Sequence, residues 1–597
     1  MAPRAKAAAV AKAPATKKAT TAAAAKKDAK PTKAAAKKAE AATNGASKKR
    51  TRDEESEPES EEEDVPKPKK TKTTERVVKP AVKPSAKTKT AAKPAATKAK
   101  TTTRRAKTEE PDEEKPAAKK PGRPATKKAE PKKKSDFPNI GKKINDAPTQ
   151  ILDIYVFGEG SSGELGLGSK RINGKKPIDV KRPRLNDNLS AAKVGVVQIS
   201  CGGMHAIVLT HDNKILTWGV NDQGALGRDT NWDGGLRDMD KEEDSESEDE
   251  DDSGVNPKES TPLPVSEEYF APDTKFVQVV ASDSASFALT EDGRVYGWGT
   301  FRSSDGILGF SETVKIQSTP ALIRDLKNIK SLAAGSNHIL ALDHKGNVVA
   351  WGCGQQNQLG RRIIERIKMS SLIPQGVGLP RGKIAKVACG SYHSFAIDKE
   401  GQVYGWGLNN FGEIGVESNA GEDDAVILRP AKLTYLDDYT ITEIDGGEHH
   451  SLACSDKGDL LTWGRVDGYQ VGFEFDKLSE DNAIYDERGN ARILFKPTIQ
   501  PDAPDTKNIV AVAAGTDNNF AVDSEGKVFS WGFSSNYQTG QGTIDDIHTP
   551  TVIDNTAIRG KKIIGAGAGG QYSVLFGEAE ETPATNGAKT NGVHEEA

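Results

Sequence analysis

Short apolar stretches recur along the chain: VVQIS, FVQVV, IKSLA, IAKVA, ITEID and IVAVA. Each runs into a corner of small residues: Cys201-Gly202, Ala281-Ser282, Ala334-Gly335, Cys389-Gly390, Gly446-Gly447 and Ala514-Gly515. A second segment then alternates apolar and polar positions, as in HSFAID at 393–398, the period of a half-buried strand. A tight turn follows. It carries Gly293, Gly346, Gly401, Gly458 or Gly526 in five copies and Asp212-Asn213 in the first, residue types that tolerate left-handed backbone. A third apolar segment ends in Trp-Gly at Trp218, Trp298, Trp351, Trp406, Trp463 and Trp531. Six of the seven tryptophans therefore share one repeat position, which makes the repeat the organising unit. A fourth segment precedes the next copy, for example PAKLTYL at 430–436. Alternating segments joined by Gly-containing turns are hairpins, and three or four such strands per repeat predict propeller blades.

The ends complete the pattern. IIGAGAGGQYSVLF at 563–576 has the first two strands and no Trp-Gly, whereas ILDIYVFGEGSSGELGLG at 151–168 has the third strand with Phe157-Gly158 in its place. Joined, they make a seventh copy and leave no exposed sheet edge at the seam. The expected fold is all-β: a seven-bladed β-propeller over residues 150–578, closed by N- and C-terminal strands. Residues 1–136 and 579–597 are expected to be disordered tails.

Composition separates the tail from the propeller. No aromatic residue occurs before Phe137, so the first 136 residues, mostly Ala, Lys, Pro and Thr, cannot build a core. Residues 1–140 hold 39 Lys and Arg against 19 Asp and Glu, and the rest of the chain 45 against 67, so +20 stands against −22. That opposition points to a polyanion-binding tail on an acidic body. Lys48–Arg52 and Lys67–Lys72 read as nuclear import signals. Lys119-Lys120-Pro121-Gly122-Arg123-Pro124 has the form of an AT-hook, in which Arg123 enters a narrow A·T minor groove. A chance match in a Lys/Pro-rich tail is the alternative. Two acidic runs stand out. One is Asp53–Asp64; the other, Asp238–Asp252, is an insertion read as a disordered loop.

Other classes are disfavoured. Cys201, Cys353, Cys389 and Cys454 show no close pairing, which reads as a reduced compartment without a metal site. No run of about 18 apolar residues and no signal-peptide core are present, so a soluble, intracellular protein with no membrane partner is expected. Neither a phosphate-binding Gly-x-x-x-x-Gly-Lys-Ser/Thr loop nor a Gly-x-Ser-x-Gly elbow occurs, so no cofactor and no covalent chemistry are expected.

Comparing the copies with one another locates candidate functional positions. The two residues before the repeat histidine vary freely: Gly203-Met204, Asp283-Ser284, Ser336-Asn337, Ser391-Tyr392, Glu448-His449, Thr516-Asp517 and Gly570-Gln571. By repeat geometry they ring one face, and loop positions without structural duty on a rigid scaffold are where function resides. His205, His338, His393 and His450 occupy the repeated position and are read as structural. His449 differs, because no other copy has histidine there.

The stretches GGMH with NDQGALGRDT, WGTFRSSDGILG, CGSYHSFAI with VYGWGLNNFGEIG, GGEHHSL and SSNYQTGQG, in that order over 151–577, resemble the regulator of chromosome condensation family. The resemblance implies a chromatin-associated guanine-nucleotide exchange factor that releases GDP from the small GTPase Ran. It also implies chromatin and nuclear import receptors as further partners and a nuclear location. The other reading is a propeller adaptor or structural chromatin-binding protein without exchange activity. The implied GTPase contacts are Asp283, Asn337, His449 and Asp517; at Asn337 the family's best-known member carries an aspartate, so the charge is lost here and the acceptor oxygen kept. Phe301, Arg302, Ser303, Ser304, Asp305, Gly306, Ile307 and Leu308 match the family's β-wedge, with Asp305-Gly306 as the expected hairpin tip. The insertion 361–381 matches a nucleosome-contacting loop, with Arg361, Arg362 and Arg366 as candidates, or is a solvated basic loop.

Overall fold

The computed structural model describes residues 137, 139–170, 178–232, 255–500 and 507–580. Arg123 with the AT-hook-like segment, the import signals, the acidic insertion 238–252 and residues 581–597 lie outside the described residues. Among those described, no helix is long and apolar enough to cross a membrane.

Among the described residues, seven antiparallel sheets of four or five strands follow one another in chain order, and an eighth, of two strands, is inserted in the second blade. The fourth blade shows the plan, with strands Ile384–Cys389, His393–Asp398, Val403–Leu408 and Val426–Lys432. Its last strand starts four residues earlier than the expected segment, and Thr434–Leu436 forms a 3-10 turn. The seventh blade joins Ile563–Ala568 and Tyr572–Glu578 from the C-terminus to Leu152–Glu159 and Asp179–Leu185 from the N-terminus. Its seam is in register from Leu152 opposite Glu578 to Gly158 opposite Tyr572. The expected ring closure is thus present.

The repeat residues explain the packing between blades. The six repeat tryptophans are buried, and Trp218, Trp298, Trp406, Trp463 and Trp531 each donate from Nε1 to a backbone carbonyl of the preceding blade, at 2.8–3.0 Å. The repeat histidines reach the other way. Nε2 of His205, His338 and His393 bonds Ser286, Ser394 and Ser451 of the next blade at 2.8–2.9 Å, and His450 bonds Asn519 at 2.6 Å. Ser394 and Ser451 pass their own protons to the carbonyls of Gln358 and Glu413, so they accept from the imidazole. The structural reading of these histidines is borne out.

The same rings dictate the glycine before them. A Cβ at Gly202, Gly335, Gly390 or Gly447 would lie 2.1–2.5 Å from Cε1 of the histidine three residues on. In the second copy Ala285 replaces the histidine, and there Ser282 replaces the glycine. The turns between second and third strands bear out the left-handed requirement, with φ of 77° to 88° at the five glycines and 69° at Asn213.

Chain order now fixes the faces. Loops joining strands one to two and three to four emerge at one end of every blade, and turns joining two to three emerge at the other. Residues 139–150 form a strap on the latter face. The amides of Ile144 and Asn145 donate to Glu291 O, Gly141 N donates to Asp292, and Asn145 Oδ1 lies 2.8 Å from His344 Nε2.

Candidate functional site

On the first face, the second blade departs from the plan. Between its third strand, Val295–Gly299, and its fourth, Gln317–Leu322, a separate two-stranded hairpin is inserted, Phe301–Ser303 with Gly306–Gly309. Arg302 pairs with Ile307 and Ser303 with Gly306. The tip is therefore Ser304-Asp305; the expected Asp305-Gly306 is displaced by one residue. Gly306, at φ 102°, already belongs to the return strand, which absorbs a left-handed residue there that the turn does not need.

The eight wedge residues divide into anchor and surface. Phe301 is fully buried, 6.0 Å from the Phe287 ring and 6.5 Å from Phe310 in stacked arrangement, and Leu308 joins the same core. Burying such side chains contributes about 1.5–3 kcal/mol each, enough to fix the hairpin's base. Arg302, Ser304, Asp305 and Ile307 are exposed. These two anchors are accordingly removed from any contact surface.

Asn337 holds the hairpin from the third blade. Its Oδ1 accepts from the Arg302 amide at 2.7 Å, a bond that an aspartate would also accept. Gln355 holds it near the tip: Oε1 accepts from Ser304 N at 2.9 Å, and Nε2 donates to Ser304 Oγ at 2.8 Å. A cleft of about 450 Å³ runs beside the hairpin, lined by Arg302, Ser303 and Ser304 together with Asp283, Asn337, Tyr392 and Glu448. The structure thus brings Asp283, Asn337 and the wedge to one cleft.

His449 and Asp517 sit further round the same face, each held by the preceding blade. His449 Nδ1 lies 2.9 Å from Oε1 of Glu413, and Asp517 Oδ1 accepts from Gln470 Nε2 at 2.8 Å. The Glu413 carboxylate also accepts from the Phe411 amide, as Gln470 does from Gly468. Both therefore clamp their own loop while gripping a loop residue of the next blade. Asn337 follows the same rule, because in the second blade the wedge stands where other blades carry that loop. His449 packs against Phe411 and Tyr392, with ring centroids 4.8 and 6.2 Å away, and its Nε2 is 4.0 Å from Glu448.

Glu413, Gln470 and Gln355 escaped the sequence reading. A signal existed for the first two: Glu164, Gln358, Glu413, Gln470 and Gln538 all stand two residues before a repeat glycine. No such signal marks Gln355.

The three arginines of the insertion do not act together. Arg361 is half-buried, and its guanidinium donates to the carbonyls of Ala350, Ser371 and Ile373 at 2.9, 3.4 and 3.3 Å. Burial pulls its pKa down to about 10. Arg228 stands at the same repeat position and donates to Thr217 O at 2.7 Å. Arg361 therefore acts as an internal brace, whereas Arg362 and Arg366 are exposed.

Residues 153–575 match the RCC1-like domain family model. The guanine nucleotide exchange factor SRM1 of Saccharomyces cerevisiae is 43% identical over 436 residues, 72% of this chain and 88% of that protein. The crystal structure of Prp20p from the same yeast, reported with its binding properties to Gsp1p and histones, superposes with a TM-score of 0.64. It is 40% identical over 74% of this chain and 93% of that one. Yeast RCC1 (Prp20) bound by Kap60 gives 0.65 at 38% identity, over 76% and 97%.

Proposed function

This chain belongs to the regulator of chromosome condensation family, and from that premise we propose that it is a chromatin-associated guanine-nucleotide exchange factor that releases GDP from the small GTPase Ran. One observation carries the reading. A separate two-stranded hairpin, without counterpart among the described residues of the other blades, projects beside a polar cleft, braced by side chains of the neighbouring blade on the face where the variable loop pairs gather.

The chemistry asked of the chain is non-covalent. Only an interaction stronger with the nucleotide-free GTPase than with the loaded one shifts the balance toward release. Nucleotide is held by the partner's phosphate loop and Mg²⁺, so pressing the wedge against that loop weakens the hold. An acceleration of roughly 10⁵-fold corresponds to about 7 kcal/mol of differential stabilisation. A braced hairpin delivers that energy to the partner because it does not itself yield. In this reading Arg302, Ser304, Asp305 and Ile307 meet the GTPase, with Asp283, Asn337, His449 and Asp517 arrayed round the same face. Arg362 and Arg366, with the basic tail including Arg123, meet nucleosomal DNA and histones. Import receptors take the lysine clusters, which gives a nuclear location.

The test is release of labelled GDP from Ran by catalytic amounts of the full chain and of His449→Ala. Fast release by the wild type, slowed by the substitution, is the expected result. Release at the spontaneous rate by folded wild-type protein would leave the adaptor reading in its place.

A further inference from the structure

Lys368 belongs to the insertion that follows the third blade's Trp351-Gly352, on the 3-10 segment Glu365–Leu372. Its Nζ lies 2.7 Å from Oδ2 of Asp305, 63 residues away at the wedge tip, and 2.8 Å from Oε1 of Glu365. We infer that Lys368 is a positioning residue for nucleotide exchange, holding the wedge tip through Asp305; the inference rests on the exchange reading above.

The hairpin needs such a tether. Its strands pair over three positions only, and an isolated two-stranded hairpin has marginal stability in water. Phe301 and Leu308 fix its base, Asn337 fixes Arg302, and Gln355 holds Ser304 from the third blade. Asp305 stands beyond these supports, and Lys368 is the cation that reaches it from a second element. Glu365 flanks the same ammonium, so the charge is shared by two carboxylates and the lysine is held in place before the tip arrives. Side-chain exposure of 35% for Lys368 and 63% for Asp305 keeps the bridge within reach of solvent and salt. Its influence on the wedge is therefore graded, and is expected to be visible in rate before it is visible in folding.

The experiment uses the full chain and labelled GDP release from Ran, with wild type, Lys368→Gln and Lys368→Arg. An exposed ion pair of this kind predicts that Lys368→Gln lowers kcat by about twofold to fivefold. KM and Tm are expected to stay unchanged. Lys368→Arg is expected to recover most of the loss. Amide hydrogen exchange at residues 303–306, read without any GTPase, should quicken in Lys368→Gln and not in Lys368→Arg. Wild-type exchange with an unaltered kcat and unaltered amide protection in Lys368→Gln would overturn the inference alone. Absence of wild-type exchange would overturn it together with the exchange reading.

Discussion

The imidazole of His449 in the fifth blade lies 2.9 Å from the carboxylate of Glu413 in the fourth, and Glu413 is fully buried. Because the carboxylate accepts, the imidazole donates from Nδ1 and presents Nε2 at the other edge. Removing either residue should disturb the same recognition edge. His449→Ala and Glu413→Ala are each expected to slow exchange, and the double variant to be no slower than the worse single one. A coupling of about 0.5–3 kcal/mol in the double-mutant cycle is the expected reading. Strictly additive losses would mean that the two act separately.

Asn337 makes its bond through an acceptor oxygen. Asn337→Asp keeps that oxygen and charges it, and charge-assisted hydrogen bonds are the stronger kind. Exchange by Asn337→Asp is expected to equal or exceed that of the wild type. Asn337→Ala strands the Arg302 amide and should lose about twofold to tenfold, in line with about 0.5–1.5 kcal/mol for one hydrogen bond. Steady-state GDP release on the two variants decides it.

The buried histidines predict acid sensitivity. Desolvation lowers His205 to about 4, His338 to about 3, His450 to about 4 and His393 well below its ordinary value. Nδ1 of His338, His393 and His450 has no partner, so protonation would bury an unanswered donor. Their stabilising contribution is complete above the unfolded value near 6.5 and is lost as pH falls toward 4. Asp445, which lines a cavity with the small-residue corners of the blades, is raised by desolvation to about 7 and acts in the opposite sense, losing stability as pH rises from 4 to 7. Four groups outweigh one, so the urea midpoint should fall between pH 6.5 and 5. His393→Asn, which copies Asn518 of the sixth blade, should flatten that slope; an unchanged slope would remove His393 from the explanation.

The glycine–histidine pairing predicts a rescue. Gly390→Ser places a Cβ 2.2 Å from His393 Cε1 and should cost about 2–3 kcal/mol. Combining it with His393→Ala reproduces the Ser282 and Ala285 arrangement of the second blade. The double variant is expected to cost less than the sum of the two single changes in denaturant unfolding.

Arg361 and its neighbours should separate by assay. Arg361→Ala leaves the carbonyls of Ala350, Ser371 and Ile373 without their donor and is expected to lower Tm. Arg362→Ala with Arg366→Ala should leave Tm unchanged and weaken nucleosome binding, with a shallower dependence on salt. Equal binding by that double variant would take the insertion out of the chromatin interface.

Much of this molecule was legible in one dimension. The Trp-Gly spacing, the turn glycines and the split seventh copy specified seven blades and their closure, because each repeat must bury the same face against the next. Variation at the residues before the repeat histidine singled out the face that carries the hairpin and its cleft, since the flanking strands repeat and these positions do not. The wedge was visible as the one place where Trp-Gly leads into a sequence unlike its siblings. The bracing role of Arg361 was legible from one further comparison: Arg228 holds its repeat position, and recurrence there signals a brace.

Sequence alone determined the blade count, the seam and the ring of variable loops, because these follow from period and residue type within each repeat. The tertiary structure alone decided what grips what between blades: Asn337 on Arg302, Gln355 on Ser304, Glu413 on His449, and Lys368 on Asp305. Those pairs lie 35 to 63 residues apart. Their meeting depends on the angle between neighbouring sheets, which no local pattern encodes.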